Sequence, residues 1–539
     1  GRWAFTTSVG NNGNIGGLAG ADAFCQSLAN TAGLPGTYRA WLSDSSGSPS
    51  TRFTRSTIPW VMPSGSNAGI ILADNWDDLT DGTLDALGTV TVTVNPINDA
   101  PVIESVTSTP GIGNSWAVTV VVSDPDNDTV TIDPSAVHLA KGSAWRMLPI
   151  IGGVLAIAGL GGAFALRGDH HHEFWYAYLV AWYGFLAIGL GGLFFVIIQH
   201  LVRAGWSIAV RRLAENVAIT LPILCLVGLP IVLFGMHDLY HWTDTAAVDA
   251  DFMLSAKKGY LNEGFFKIRI GVYFAIWTLL SVLFYRWSTT GDDDAEKAAR
   301  NADKARGFAA PALFLFALSL TFAAFDFLMS LDPHWFSTMF GVYYFAGSCL
   351  SIHAFLTLTA IFLRKSGYLK GVVTDEHYHD LGKFLFGFTV FYTYIAFSQY
   401  FLIWYANIPE ETIWFGYRIA DDFLPLTYLL CLGRFPLPFF FLLPRAVKRS
   451  AVTLGIAATW ILCMEFVDMF WVIQPVLAHH HALESGDHHM TLHVGAVDAL
   501  TIVGVLGVFL AGFGWALGRK ALIPVKDPRI AESIKFENF

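Results

Sequence analysis

The sequence predicts an all-α integral membrane protein of about ten transmembrane helices, preceded by a short β-rich polar region. Hydrophobic residues make up 54% and charged residues 14% of the 539-residue chain, and the mean hydropathy is +0.48, which exceeds what a water-exposed surface allows. Apolar runs of roughly 20 residues, long enough to cross a bilayer core, recur from Met147 onwards. The residues before Lys141 are instead polar and rich in Gly, Ser, Asn and Asp.

The first module of the polar region covers residues 1–88. Three short stretches in it mix aromatic and small residues: Trp3-Ala4-Phe5, Gly20-Ala21-Asp22-Ala23-Phe24-Cys25 and Tyr38-Arg39-Ala40-Trp41-Leu42-Ser43-Asp44. These stretches resemble parts of the lectin- or endostatin-like modules of bacterial surface proteins. The resemblance implies an extracellular β-rich fragment.

The second module covers residues 89–140 and alternates as a strand over 90–95. Asp124, Asp126 and Asp128 supply closely spaced carboxylate oxygens, the ligands that Ca²⁺ prefers. The stretch resembles a cadherin-type calcium motif, and a solvated Asx turn is the alternative interpretation. Such modules work outside the cell, whereas the helix count places this end of the chain inside. We therefore expect residues 1–140 to be a separate polypeptide or an artefact of sequence assignment.

The membrane domain is predicted over residues 141–539. Its apolar runs predict helices over 147–166, 174–198, 217–234, 270–285, 309–331, 336–363, 384–405, 423–443, 452–473 and 497–517. About 20 Lys and Arg residues fall in the even-numbered loops and the carboxyl tail, against about six in the odd-numbered loops. Because basic residues favour the cytoplasmic side, both ends of the ten-helix domain are predicted to be cytoplasmic.

Charge and cysteine content exclude several function classes. The net charge of −10 leaves no basic face for nucleic acid. The five cysteines, which lie far apart, form neither a C-x-x-C nor a C-x-x-C-H pattern, so covalent haem and a self-contained iron–sulfur site are unsupported. We expect this chain to bind no redox cofactor of its own.

Ionisable residues inside the predicted helices are functional candidates, because each costs several kcal/mol in a bilayer unless it meets a partner or water. Glu465 and Asp468 lie three residues apart on the ninth helix and so share one face. Neighbouring carboxylates raise one another's proton affinity, which suits a proton relay. The alternative is a pair that only packs helices together.

Asp326 and His353 could continue such a path through the fifth and sixth helices. A histidine that merely packs is the alternative for His353. Glu215 lies near the basic end of the third helix behind Arg211 and Arg212, where an ion pair is the simpler interpretation.

Two further helices contribute polar candidates. Arg434 precedes Pro436 and Pro438 in the eighth helix, and these prolines loosen the backbone there. Arg434 could balance an acid or extend towards the membrane surface. On the seventh helix, Tyr392 and Gln399 could hold water for proton transfer or simply bond neighbouring helices.

Three motifs of the membrane domain resemble a known family. They are Arg211-Arg212-Leu213-Ala214-Glu215-Asn216, Asp326-Phe327-Leu328-Met329-Ser330-Leu331-Asp332-Pro333-His334-Trp335 and Ser398-Gln399-Tyr400-Phe401-Leu402-Ile403-Trp404-Tyr405-Ala406-Asn407-Ile408-Pro409-Glu410-Glu411. Together with the ten-helix plan they resemble the NrfD-like membrane subunits, and among these the ActF-type subunits of bacterial alternative complex III. The resemblance covers 141–539 and none of 1–140.

The resemblance implies a multi-pass subunit of a quinol:electron acceptor (cytochrome c) oxidoreductase in the bacterial cytoplasmic membrane, contributing proton conduction or a quinone pocket. Iron–sulfur clusters and c-type haems would belong to partner subunits. The implied partners are a homologous NrfD-like membrane subunit, an iron–sulfur subunit, multihaem and monohaem cytochrome c subunits, a terminal oxidase and lipids. The alternatives are a purely structural membrane anchor for redox subunits and an independent ion or solute transporter.

A quinone or menaquinone pocket needs an apolar slot with a proton acceptor near the membrane surface. His237, Asp238 and His241 follow the third helix, and His334 is expected on the same side. These four residues are therefore the quinone-binding candidates. The histidine-rich loops nearby lack the fixed spacing of a zinc site, and we favour docking of periplasmic subunits there.

Overall fold

The computed structural model describes residues 2–3, 17–31, 37, 60–61, 71–73, 102–110, 116–123, 134–168, 171–486 and 489–537. The chain divides into two compact units, Gly1–Thr131 and Ile132–Phe539. The described residues of the second unit form helices and loops, which confirms the all-α membrane fold.

The described residues of the first unit form two small sheets and a helix. Arg2–Trp3, Trp60–Val61 and Ile71–Ala73 form one sheet, and Val102–Pro110 pairs antiparallel with Trp116–Ser123. The helix Gly17–Thr31 was not expected in a β-rich region; its alanines Ala21 and Ala29 are buried, as on the inner face of a helix. The calcium candidates Asp124, Asp126 and Asp128 lie outside the described residues.

The second unit begins at Ile132 rather than at the predicted boundary at Lys141. A short helix, Pro134–Val137, packs onto the helical bundle. The backbone N–H of Leu369 donates to the carbonyl of Ala136 at 2.7 Å, and that of Leu522 donates to the carbonyl of Val137 at 2.8 Å. These two contacts attach the entry segment to the loop after the sixth helix and to the carboxyl tail.

Ten helices among the described residues are long and apolar enough to cross a membrane, as the sequence predicted. We name them TM1 to TM10, and their bounds are Ala144–Leu166, His171–Leu201, Ile208–Leu239, Glu263–Thr289, Ala295–Leu331, Phe340–Lys365, Asp375–Ala406, Phe423–Leu442, Ala451–Leu483 and Ala496–Arg519. TM3 includes a π-helical segment, Ile231–Gly235, directly after Pro230.

TM3 and TM4 begin earlier than predicted. TM3 starts at Ile208 rather than near Val217, because Arg211, Arg212 and Glu215 form ion pairs inside the fold and their charges do not end the helix. TM4 starts at Glu263, where the side chain of Asn262 accepts a hydrogen bond from the N–H of Phe265 at 2.9 Å and caps the helix. A prediction from hydropathy alone places a helix end at the first charged residue, so it makes both helices too short.

Contacts between loops define two sides of the bundle. On one side, which we call the histidine-rich side, His172 contacts Asp238, the ring of His241 lies 6.1 Å from that of His480, and Tyr417 stacks on His479. On the other, the basic side, Arg211 pairs with Asp527, and Arg212 pairs with Asp292. Alternate loops therefore share a side, and both ends of the ten-helix domain lie on the basic side.

Candidate functional site

A break in TM8 places Arg434 against TM9. The helix Phe423–Arg434 ends there, Phe435 leaves helical geometry (φ −124°, ψ −76°), and a second helix, Pro436–Leu442, follows. Nη2 of Arg434 lies 2.5 Å from Oε2 of Glu465 and 3.5 Å from Oδ2 of Asp468. The prolines predicted to loosen TM8 thus lie directly beside the arginine that joins both acids.

Two tyrosines complete this group. The hydroxyl of Tyr343 on TM6 donates a short hydrogen bond to Oδ1 of Asp468, and the hydroxyl of Tyr392 on TM7 donates to that of Tyr343 at 2.8 Å. The guanidinium of Arg434 lies 4.1 Å from the ring centre of Tyr392. We call Arg434, Glu465, Asp468, Tyr343 and Tyr392 the acidic cluster.

The acidic cluster holds more carboxylates than cations. Arg434, Glu465 and Asp468 are at most 4% exposed, so all three ionisable groups are removed from bulk water. Among the described residues, Arg434 is the one cation within ion-pair distance of either carboxylate. Two ionised carboxylates beside one guanidinium would leave a net negative charge in a low-dielectric site.

Several polar atoms of the cluster have no hydrogen-bond partner among the described residues. They are Nε and Nη1 of Arg434, Oε1 of Glu465 and Oδ2 of Asp468. Gly347 on TM6 borders this space, because a Cβ there would lie 3.3 Å from Nη2 of Arg434 and from both carboxylate oxygens of Glu465. The absence of a side chain at this position keeps the cluster uncrowded.

Asp326 lies in a different ion pair. Its carboxylate accepts two hydrogen bonds from Arg269 at 2.8 Å each and a third from the hydroxyl of Tyr273 at 2.9 Å. Asp326 is fully buried, and Arg269 also donates to the carbonyl of Tyr260 at 2.9 Å. One cation faces one carboxylate here with bidentate geometry, which fixes both charges.

An aromatic pair lies between Asp326 and the acidic cluster. The ring of Tyr183 on TM2 lies 4.5 Å from that of Tyr344 on TM6 and 5.8 Å from that of Phe327, the neighbour of Asp326. The hydroxyl of Tyr344 donates to the carbonyl of Tyr183 at 3.0 Å. The hydroxyl of Tyr183 is buried and has no hydrogen-bond partner among the described residues.

The structure does not bring His353 to either acidic centre. Its Nδ1 lies 2.7 Å from the carbonyl oxygen of Cys349, and its ring packs against Phe384 and Phe388 at 5.0 Å from each. His353 follows Tyr343 by ten residues of TM6, which corresponds to about 15 Å along a helix. The expected link from Asp326 through His353 is therefore not formed by direct contact.

Glu215 belongs to an ion-pair network on the basic side. Its carboxylate lies 2.9 Å from Arg212 and 3.4 Å from Arg211, and these arginines also pair with Asp292 at 2.8 Å and Asp527 at 2.5 Å. Two cations face three carboxylates that link TM3, the TM4–TM5 loop and the carboxyl tail. Gln399, another candidate, lies apart from this network and accepts a hydrogen bond from Ser337 at 2.9 Å.

The four quinone candidates lie on the histidine-rich side but do not converge. Asp238 contacts His172 at 3.4 Å, His237 lies 3.7 Å from Glu263, and His241 faces His480. His334 lies 2.7 Å from Asp251, and hydrogen bonding to His334 lowers the pKa of the Asp251 carboxyl. No three His, Cys, Asp or Glu residues of the described part of the chain are arranged to hold a metal ion.

An apolar cleft of about 420 Å³ opens beside His334, whose neighbours Pro333 and Trp335 line it. Phe322, Phe325 and Phe336 are among its other apolar lining residues, and Lys257 and Tyr260 supply polar atoms. The Tyr260 hydroxyl is buried without a hydrogen-bond partner among the described residues. Burial and the nearby Asp326 carboxylate raise the pKa of Tyr260 to about 12.

Sequence reasoning missed Tyr343 and Arg269, the direct partners of Asp468 and Asp326. Arg269 precedes the predicted start of TM4 at Ile270 by one residue, so a longer helix would have included it. Tyr343 is one of many aromatic residues on TM6, and nothing in its local sequence separates it from a packing residue. A tyrosine three turns before a buried histidine is too common a pattern to identify it.

Models of known protein families and curated proteins were compared with this chain, and neither gave a match. The likeness to the NrfD-like subunits therefore rests on the sequence motifs and the ten-helix plan.

Proposed function

We propose that this chain is a cofactor-free membrane subunit of a quinol:electron acceptor oxidoreductase, of the NrfD-like kind found in alternative complex III, and that its acidic cluster moves protons. The carrying observation is the charge ratio at Arg434: two buried carboxylates, Glu465 and Asp468, share one guanidinium. Burial of a net negative charge is costly, so one proton shared by the two carboxyls is the favoured state.

The geometry supports exchange of that proton. The two carboxyls lie on one face of TM9, and Asp468 accepts from Tyr343, which in turn accepts from Tyr392. Buried polar atoms without protein partners are commonly satisfied by internal water, and the cluster has four such atoms. Carboxyls, hydroxyls and water at hydrogen-bond distance provide the groups through which a proton can hop.

The cleft at Tyr260 supports a quinone pocket as a second contribution. It is apolar and near the membrane surface, and its buried phenol lies close to the Asp326–Arg269 pair, whose guanidinium lies 3.8 Å from the Tyr260 ring centre. A quinol head group could donate to Tyr260 with its tail along the phenylalanines. The basic side would face the cytoplasm and the cleft would face the opposite surface.

The test is proton release coupled to quinol oxidation by the assembled complex in liposomes. We expect Glu465→Gln and Asp468→Asn to lower the number of protons released per quinol while electron transfer continues. Lys267→Gln, in an exposed pair with Glu263, is a matched control that should leave the number of protons released per quinol unchanged.

Three outcomes distinguish the alternatives. Unchanged proton release and electron transfer in both variants would contradict the relay and favour a structural anchor. Purification without any redox subunit, together with substrate-dependent ion uptake, would favour an independent transporter. Slower quinol oxidation in Tyr260→Phe that recovers at higher quinol concentration would support the cleft as the quinone pocket.

A further inference from the structure

Arg418 is a fully buried cation without a carboxylate partner among the described residues. It ends the short helix Pro409–Arg418 between TM7 and TM8. Its guanidinium donates to the carbonyls of Trp414 at 2.7 Å, Val472 at 2.5 Å and Trp471 at 3.2 Å, and it lies 3.4 Å from the centre of the Trp414 ring.

Part of this arrangement follows from Pro475 in TM9. Proline has no N–H, so the carbonyl of Trp471, four residues earlier, loses its helical partner. Arg418 replaces that donor through Nε. A neutral amide could satisfy the same carbonyl, however, so backbone capping alone does not require a buried positive charge.

Arg418 lies between the acidic cluster and the histidine-rich side. Trp471 follows Asp468 by three residues, about 4.5 Å along TM9. Tyr417, its neighbour in sequence, stacks on His479 at 4.1 Å. Burial lowers the pKa of Arg418 to about 9, and the negative charge of Asp332 partly opposes this shift. At neutral pH Arg418 remains a cation.

We propose that Arg418 is an electrostatic barrier that prevents protons and other cations from passing freely between the acidic cluster and water on the histidine-rich side. A fixed positive charge in a low-dielectric passage raises the energy of any cation beside it, as arginines do in pores that exclude protons. Asp332 on the outer side partly offsets this charge. Asp332 is itself partly buried.

This inference rests on the proposed relay, and the experiment separates the two. The full chain with its co-purifying subunits is placed in liposomes without quinol, and passive proton entry is followed under a potassium diffusion potential. Arg418→Gln keeps an amide donor for the backbone carbonyls but removes the charge, and we expect it to raise proton entry roughly tenfold, a change of about 1.4 kcal/mol in the barrier. Arg418→Lys keeps the positive charge, so its rate of proton entry should stay at the wild-type value.

The double variant Arg418→Gln with Asp468→Asn identifies the route. If protons pass through the cluster, removing the Asp468 carboxyl returns proton entry to the wild-type rate. A leak that persists in the double variant, or no leak in a folded Arg418→Gln protein, would overturn the barrier. Failure of Asp468→Asn alone to alter coupled proton release would instead contradict the relay.

Asp332→Asn provides a second test that does not depend on the stability of Arg418 variants, because Asp332 is partly exposed. With the offsetting carboxylate removed, the positive charge of Arg418 acts unopposed. We therefore expect coupled proton release to slow several-fold, while passive proton entry without quinol stays at the wild-type rate. Unchanged proton release in Asp332→Asn would overturn the role assigned to Asp332.

Discussion

Two buried arginines in this bundle meet their acids in different ratios. Arg269 faces Asp326 alone, with two hydrogen bonds of 2.8 Å and a third to the same carboxylate from Tyr273. Arg434 faces both Glu465 and Asp468 with one short contact and one of 3.5 Å, and it leaves two of its nitrogens without partners among the described residues. A complete pair fixes its charges, whereas a surplus carboxylate favours a proton that can move.

The largest effect should come from removing one acid from each site. Asp326→Asn leaves Arg269 buried and unpaired, and should lower the free energy of unfolding by about 3–5 kcal/mol. Asp468→Asn leaves Arg434 paired with Glu465, and its amide oxygen can still accept from Tyr343, so the change should stay below about 1 kcal/mol. Detergent-induced unfolding of the purified protein measures both. Equal losses in the two variants would contradict the difference in charge ratio.

A smaller effect should follow from crowding the acidic cluster. Gly347→Ala places a methyl group 3.3 Å from Arg434 and Glu465, and should cost about 1–3 kcal/mol of unfolding free energy. Gly387→Ala on TM7 is the matched control, because a Cβ there meets no atom within 4 Å and alanine favours a helix by about 0.5–1 kcal/mol. Thermal unfolding should therefore shift in opposite directions, and a stabilising Gly347→Ala would show that the cluster has spare room.

Removing either tyrosine hydroxyl of the acidic cluster should have a smaller effect on the free energy of unfolding. Tyr343→Phe removes the hydroxyl that donates to Asp468 and should cost about 1–3 kcal/mol, since a charged or shared-proton acceptor is left unsatisfied. Tyr392→Phe removes only the donor to Tyr343 and should cost about 0.5–1.5 kcal/mol. The double variant should be less than additive because the two hydroxyls act in one chain. Full additivity in unfolding measurements would mean that the tyrosines stabilise the fold independently.

The smallest effect should come from the exposed pair of Lys267 and Glu263, whose side chains are 45% and 41% exposed. Lys267→Gln should change the unfolding free energy by less than about 0.5 kcal/mol, because water screens the interaction. Both sites contain an ion pair on TM4. The comparison with Asp326→Asn therefore shows how much of the stability of such a pair depends on its burial. A loss of several kcal/mol at Lys267 would show that exposure does not decide the strength of these pairs.

Hydropathy predicted all ten membrane helices, because each spanning segment must be apolar across the bilayer core and this is visible in its own sequence. The site could be predicted only in part. Glu465 and Asp468 lie on one helix and their shared face follows from spacing, but Tyr343 is 125 residues away from Asp468 in sequence. Arg434 and its prolines were visible as an interruption, yet which acid they meet depends on how TM8 packs against TM9.

Arg269 and His353 show the opposite errors. Arg269 was excluded because a charge normally ends an apolar run, although the bidentate pair with Asp326 allows it inside the bundle. His353 was assigned to a path because it is ionisable at membrane depth, although its ring packs against two phenylalanines. Ionisable residue type locates candidates, and only the packing of distant helices decides which of them meet.

The central claim is that Glu465 and Asp468 share a proton that can exchange. Infrared spectroscopy of the membrane-embedded protein tests it directly, by following the carbonyl stretch of protonated carboxyl groups on exchange from H₂O into D₂O near neutral pH. We expect a band that shifts on exchange, persists in Asp326→Asn and is lost in the double variant Glu465→Gln with Asp468→Asn. A spectrum without such a band, or a band that disappears in Asp326→Asn and remains in the double variant, would contradict it.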